Sequence, residues 1–115
     1  MPSMQATIAD TAAISGVIDL GTSGFFTGLK APAMTTVTSL SFQVCESPTG
    51  TFAALYDAAG TLVTAACSTS AAQAASINPA DFAGWRYIKI VAGSGSGTAQ
   101  SGTKTFYVQS RTRLD

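Results

Sequence analysis

Charge is scarce in this chain, and histidine is absent. The 115 residues include 6 Lys or Arg, 6 Asp or Glu and 0 His, so charged residues make up only 10% of the sequence. A typical soluble domain carries roughly 25%. Without histidine, nucleophilic catalysis by a Ser-His-Asp or Cys-His pair is excluded. The scattered acidic residues read as turn and strand-end residues rather than as a catalytic pair. We therefore expect a protein that is not an enzyme and binds no cofactor.

The few charges cancel, because the formal net charge is +0. No basic stripe is available to bind phosphates, so we expect no nucleic-acid partner. A chain that is 46% hydrophobic and has no net charge has little electrostatic repulsion to keep its copies apart. This composition favours a protein that functions within an assembly.

Long apolar runs are also missing. No stretch of about 18 apolar residues is present, so we predict no transmembrane helix. The segment Met-Pro-Ser-Met-Gln-Ala has neither the basic nor the apolar part of a signal peptide, and we expect synthesis in the cytosol. Cys45 and Cys67 are either an isolated disulfide or two reduced, half-buried thiols, and a cytosolic origin favours the thiols. Two thiols without histidine do not form a zinc site.

The clearest strand pattern lies in residues 83–90, which contain the only tryptophan. With a period of two, Trp85, Tyr87 and Lys89 share one face and Ile88 and Ile90 the other, which predicts a central strand. A single tryptophan on a central strand is more often a core residue, and the alternative is a platform for stacking sugars.

Arg86 falls on the same predicted strand face as the two isoleucines. We therefore expect its side chain to point inward at the edge of the sheet. A buried or half-buried guanidinium needs a carboxylate partner. Asp81, Asp57 and a neighbouring subunit are the candidates.

Short strands separated by turn residues dominate the rest of the chain. The further strand predictions cover residues 14–20, 25–29, 37–45, 51–57, 61–66 and 103–111. Residues 37–66 read as a three-stranded meander, residues 67–76 as a loop, and residues 94–102 as a hairpin loop. Residues 79–82 predict a one-turn helix capped by Asn78.

About seven or eight short strands with little helix indicate an all-β fold, an antiparallel β-sandwich or jelly roll. We predict one domain. Residues 1–13 form an extended N-terminal arm with little core content, residues 14–111 form the β-sandwich domain, and residues 112–115 form a C-terminal tail.

A resemblance to a known family rests on the order and spacing of five motifs. They are Ile18-Asp19-Leu20-Gly21, Ala31-Pro32-Ala33-Met34-Thr35, Leu40-Ser41-Phe42-Gln43-Val44, Leu55-Tyr56-Asp57-Ala58-Ala59-Gly60 and Ala83-Gly84-Trp85-Arg86-Tyr87-Ile88-Lys89-Ile90. Over about residues 14–108 the chain resembles the head decoration, or cement, proteins of tailed bacteriophages.

The resemblance implies a virion structural protein that binds the outer surface of an icosahedral head and stabilises it. It further implies a homotrimer in contact with the major capsid protein, assembled in the host cytoplasm, with no catalytic residue. Two alternatives stay open. One is a carbohydrate-binding β-sandwich module displayed on a virion, with a glycan as its partner, and the other is a tail or fibre subunit.

The two ends of the chain are the expected contact regions. Arms without a core of their own often become ordered by lying on a partner, and plain disorder is the alternative. Together with the arginine of the predicted central strand, the candidate assembly contacts are Met4, Gln5, Thr7, Arg86, Arg111 and Arg113.

Overall fold

Two antiparallel sheets form the fold in the computed structural model, which describes residues 3–21 and 24–111. The strands in these residues are β1 (Ser3–Ile8), β2 (Ile18–Asp19), β3 (Phe25–Ala31), β4 (Ser39–Cys45), β5 (Ala53–Ala54), β6 (Thr64–Ala66), β7 (Gln73–Ser76), β8 (Tyr87–Ala92) and β9 (Lys104–Arg111). Sheet A has the order β1-β9-β3-β7. Sheet B has the order β2-β8-β4-β5, and β6 also pairs with β4. The predicted antiparallel β-sandwich is confirmed.

The core lies between the two sheets and follows from the alternation of apolar residues along the long strands. Nine core residues in the described part of the chain have no exposed surface: Ile8, Phe26, Leu40, Phe42, Ile88, Ile90, Ala92, Phe106 and Val108. At the centre, the ring of Phe26 on sheet A lies 5.7 Å from that of Phe42 on sheet B. Phe82 contacts both rings, at 4.9 and 5.1 Å between ring centres. Edge-to-face contacts of this kind stabilise a core beyond the burial of apolar area.

The N-terminal segment is a strand of the sandwich, which differs from the predicted arm. β1 pairs with β9 over its whole length, from Ser3 opposite Gln109 to Ile8 opposite Lys104. Ala6 and Ile8 are buried, and Met4 packs against the core. The expectation of little core content is therefore wrong for residues 3–8. Alternation over only three positions, Met4, Ala6 and Ile8, is a weak sequence signal for a strand. Pairing with β9 is what stabilises this segment as one.

β5 and β6 do not form the predicted three-stranded meander with β4. Both pair with the same edge of β4, β5 with its C-terminal half and β6 with its N-terminal half. The chain between them projects as a hairpin in which Tyr56 pairs with Leu62. The Asp57 carboxylate closes this hairpin by accepting the backbone N–H of Thr61 at 2.9 Å.

Two predicted loops are also corrected. Residues 67–76 contain β7, which pairs with β3 at the edge of sheet A. The predicted hairpin loop 94–102 connects β8 of sheet B with β9 of sheet A, so it crosses between the sheets. Gln100 anchors this crossing from a buried position. Its side-chain amide accepts the N–H of Thr35 at 2.7 Å and donates to the carbonyl of Thr35 at 3.1 Å.

The predicted strand at residues 14–20 is only partly formed, as β2 and a bridge between Ile14 and Val91. Ser15 interrupts it, because its buried hydroxyl accepts the N–H of Ile90 at 2.9 Å. The helical turn Pro79–Phe82 is confirmed as a 3-10 helix. The Asn78 side chain accepts an N–H of its first turn at 3.1 Å.

Cys45 and Cys67 are free thiols, as predicted, and both are buried rather than half-buried. Burial raises the pKa of the Cys67 thiol. The Cys45 thiol donates to the Glu46 carboxylate at 3.4 Å. Each thiol thus fills the interior as a small apolar group with a weak hydrogen bond.

Candidate functional site

The outer surface of sheet A is a polar face without carboxylates. Strand register sets its membership, since Gln5 lies opposite Tyr107, Tyr107 opposite Lys30, and Lys30 opposite Ala74. These four form one row across all four strands. The side chains that alternate with the buried ones are those of Gln5, Thr7, Phe25, Lys30, Ala74, Ser76, Thr105, Tyr107, Gln109 and Arg111. We call this set the sheet A face.

Both charges on the sheet A face are positive. They belong to Lys30 on β3 and Arg111 on β9, and both residues are exposed. Within residues 3–21 and 24–111, neither side chain forms a salt bridge, since the single pair found there joins Arg86 and Asp19. Tyr107 lies next to Lys30 and is 41% exposed. The sheet A face therefore presents two cationic side chains and an aromatic ring, and none of its members is an aspartate or a glutamate.

The edge of sheet A at β7 has free backbone groups. The N–H of Ile77 donates to the carbonyl of Thr27 at 3.1 Å. In an antiparallel pair, residues whose backbone groups bond to the partner strand alternate with residues whose backbone groups point away from it. The N–H and C=O groups of Ala74 and Ser76 consequently point away from β3. Residues 67–80 carry no charge, and natural sheets usually protect such an edge with charges or proline. The β7 edge is thus suited to contact with another chain.

A second exposed surface lies where the 3-10 helix leads into β8. Trp85 is 37% exposed, so the prediction of a core tryptophan is wrong. Its backbone N–H donates to the carbonyl of Phe82 at 2.9 Å and extends the helical turn. β8 begins at Tyr87, and it is the predicted central strand, between β2 and β4. Trp85 precedes that strand, and the alternation of the strand does not apply to it.

Arg86 pairs with Asp19, which was not among the predicted partners. The guanidinium donates from Nε to Oδ1 at 2.7 Å and from Nη2 to Oδ2 at 3.1 Å. Both side chains are exposed, at 41% and 49%, so the expectation that Arg86 points inward is also wrong. The guanidinium also lies over the ring of Tyr87, 5.1 Å from its centre. This two-point geometry fixes the orientation of the planar group.

The ion pair shifts the pKa values of both groups. The hydrogen bond from Arg86, with the backbone N–H of Gly21 at 2.8 Å, lowers the pKa of Asp19 below its usual value. The hydrogen bond to Asp19 raises the pKa of Arg86. Both groups are therefore charged throughout the physiological range.

A pocket of about 200 Å³ adjoins this ion pair. Its lining residues are Gly21, Gly24, Ala83, Gly84, Trp85 and Arg86. Because three of them are glycines, backbone groups are accessible beside the indole and the guanidinium. We call Trp85, Arg86, Asp19 and this pocket the Trp85 corner.

The structure separates the predicted contact residues into two groups. Gln5, Thr7 and Arg111 lie together on the sheet A face, whereas Met4 packs inward. Arg86 lies at the Trp85 corner. Arg113 and the rest of the predicted tail 112–115 lie outside the described residues. Sequence reasoning missed Lys30 as a member of the face. A bulge between Phe26 and Gly28 breaks the alternation of β3, so that a strict period of two from the buried Phe26 would place Lys30 on the inner face.

No family model, curated protein or solved structure matches the chain. In the part of the chain that the structure describes, no helix is both long and apolar enough to cross a membrane. The same residues contain no group of three or more Cys, Asp or Glu side chains placed to hold a metal ion. The surfaces themselves are therefore the basis for a functional interpretation.

Proposed function

We propose that this protein is a non-enzymatic virion component, a capsid decoration protein that docks its sheet A face on the outer surface of a phage head and stabilises the shell. The observation that carries the proposal is the composition of that face. Protein interfaces are enriched in tyrosine and arginine and depleted in aspartate and glutamate. The sheet A face has Tyr107 and Arg111 and no carboxylate.

The charge of the face defines the partner surface. Lys30 and Arg111 project from adjacent strands without an acidic neighbour on the face. A complementary surface on the major capsid protein has exposed carboxylates. Charges of this kind at an interface rim contribute more to association rate and orientation than to affinity. Shell binding should accordingly weaken as the salt concentration rises.

One copy offers a limited area. Four strands spaced about 4.8 Å apart and on average about 20 Å long give a face of roughly 400 Å², below the roughly 800 Å² per partner of a standard interface. A homotrimer triples the area and converts weak single contacts into strong combined binding. The uncharged β7 edge supports association between copies in a ring, because it brings no charge to a contact with a different surface of the neighbouring copy.

The test is binding to capsids assembled from the major capsid protein alone. We expect the purified protein to sediment with these capsids and to raise the temperature at which they disassemble. Light scattering over a dilution series should give the mass of a discrete trimer. Capsids of equal stability with and without saturating protein would rule out a cementing role.

A second binding experiment distinguishes a decoration protein from a tail or fibre subunit. Isolated tails and isolated heads, both from virions assembled without this protein, are incubated with labelled protein. A decoration protein binds heads that lack it and leaves tails unlabelled. Binding to tails alone would replace the proposal with the tail role.

A further inference from the structure

We infer that the Trp85 corner is a saccharide-binding site that holds one pyranose ring against the Trp85 indole. This site lies away from the sheet A face and does not depend on the proposed role in a shell. Trp85 is the only tryptophan of the chain. It is 37% exposed and lines a pocket of about 200 Å³.

The indole provides the apolar side of the site. A pyranose has an apolar face of C–H groups and a rim of hydroxyls, and an aromatic ring is the natural surface for the apolar face. An indole that is more than one-third exposed leaves part of its apolar surface in contact with water. Covering that surface with a sugar ring releases the water. A buried tryptophan would not permit this contact.

Arg86 and Asp19 provide the polar side. Their two mutual hydrogen bonds use Nε and one N–H of Nη2. Both N–H groups of Nη1 and the second N–H of Nη2 are left over, because a guanidinium has five donors. Asp19 Oδ2 accepts the hydrogen bond from Arg86 Nη2 and can accept at least one more. A donor and an acceptor side by side match two neighbouring hydroxyls of a sugar.

The polar groups are already held in place before a ligand binds. Asp19 Oδ1 accepts from Arg86 and from the N–H of Gly21, at 2.7 and 2.8 Å. The position of Trp85 is fixed by its backbone bond to Phe82, whose ring is buried in the core. A preformed site loses less conformational entropy when it binds a ligand. The glycines of the pocket leave room for a ring beside the indole.

Intrinsic fluorescence tests the inference directly, since Trp85 is the only indole. The full-length protein is titrated with methyl glycosides of glucose, galactose, mannose and N-acetylglucosamine and with their short oligomers, up to about 10 mM, a range that covers weak millimolar affinities. We expect at least one of these probes to change the emission with saturation. The same titration is followed by isothermal calorimetry, which remains usable when the indole is removed.

Variants identify the site. Trp85→Ala should weaken the binding of that probe by about tenfold or more, and Trp85→Phe should retain part of it because a ring remains. Arg86→Lys should also weaken it, since an ammonium group does not reproduce the two-point pairing with Asp19. The control is Tyr107→Ala, which removes a similarly exposed aromatic from the sheet A face and should leave binding of the saccharide unchanged.

Two results would overturn the inference. One is the absence of any saturable change with every saccharide in the series, while the unfolding midpoint shows that the protein is folded. The other is calorimetric binding that Trp85→Ala and Trp85→Phe leave unaltered, which would place the saccharide elsewhere on the molecule.

Discussion

The sheet A face and the Trp85 corner are both exposed, but they are built in different ways. The face consists of side chains on the outward side of paired strands, and the inward residues of the same strands hold the sheet in place. The corner depends on a single helical turn, one buried phenylalanine and one ion pair. Outward residues on a sheet are replaceable without loss of the fold, whereas the corner is coupled to the core.

This difference suggests two kinds of recognition. A broad face with few charges suits a large protein partner that contacts many side chains weakly. A small pocket with an aromatic ring and a fixed pair of polar groups suits a small ligand. Mutations should therefore separate the two surfaces: changes on the face affect assembly alone, and changes at the corner affect stability or ligand binding.

The largest expected effect comes from Phe82, which connects the corner to the core. Phe82→Ala removes a ring that contacts both Phe26 and Phe42 and should lower the free energy of unfolding by about 3–5 kcal/mol. Urea unfolding measures this loss, and the Trp85 emission should shift to the red as the helical turn loosens. Phe52→Ala, at a half-buried ring under Lys89, is the control and should cost clearly less. Equal losses would show that the corner has no special link to the core.

Charge reversal on the sheet A face should have the next largest effect. Lys30→Glu combined with Arg111→Glu should weaken binding to undecorated capsids by about 100-fold at low salt, because like charges then face each other. The unfolding midpoint should stay unchanged, since both side chains are exposed. Lys89→Glu makes a similar change on the outer surface of sheet B and should bind as the wild type does. If Lys89→Glu weakens binding as strongly, sheet B rather than sheet A meets the shell.

A smaller effect is expected from Tyr107 on the same face. Tyr107→Ala should weaken capsid binding by about tenfold, since an aromatic ring at an interface commonly contributes more than 1 kcal/mol. Co-sedimentation at several protein concentrations measures the change. Tyr56→Ala is the matched control, because Tyr56 is 56% exposed on the hairpin after β5 and lies outside the face. The two variants should differ, and identical binding would remove Tyr107 from the interface.

Alternation along the chain predicted the parts of the fold that depend on local pattern. Phe106 and Val108 point inward as expected, and the strand 37–45 is present as Ser39–Cys45. β7 was missed because alanine and serine have weak strand preferences. Its pairing with β3, which lies some 45 residues earlier in the chain, is what makes it a strand.

The Trp85 corner was largely unpredictable from the sequence. The alternation from Trp85 to Ile90 is regular, but the helical turn ending at Phe82 delays the start of β8 to Tyr87. The partner of Arg86 lies 67 residues away, on β2, and no local signal identifies it. The sheet A face was partly predictable, because Gln5, Thr7 and Arg111 were chosen from the ends of the chain, and strand pairing brings those ends together.

The smallest expected effect concerns the Asp19–Arg86 pair. The pKa of Asp19 is lower in the folded protein than its ordinary value of 3.8. The pair therefore adds stability that is fully present above that value and disappears as the pH falls through the folded pKa. Because both groups are exposed, salt and solvent screen the pair, and the effect should be slight.

Asp19→Asn tests this pH dependence with almost no change in shape. Urea unfolding of the variant and the wild type should show a slightly lower midpoint for the variant at about pH 7, and the two midpoints should converge as the pH falls below 3.8 and through the folded pKa of Asp19. Lys89→Gln, which removes a charge of β8 that is not part of the Asp19–Arg86 pair, should show no such convergence. A difference between wild type and Asp19→Asn that persists at low pH would contradict this prediction, because it would show that the charge of the carboxylate is not what stabilises the corner.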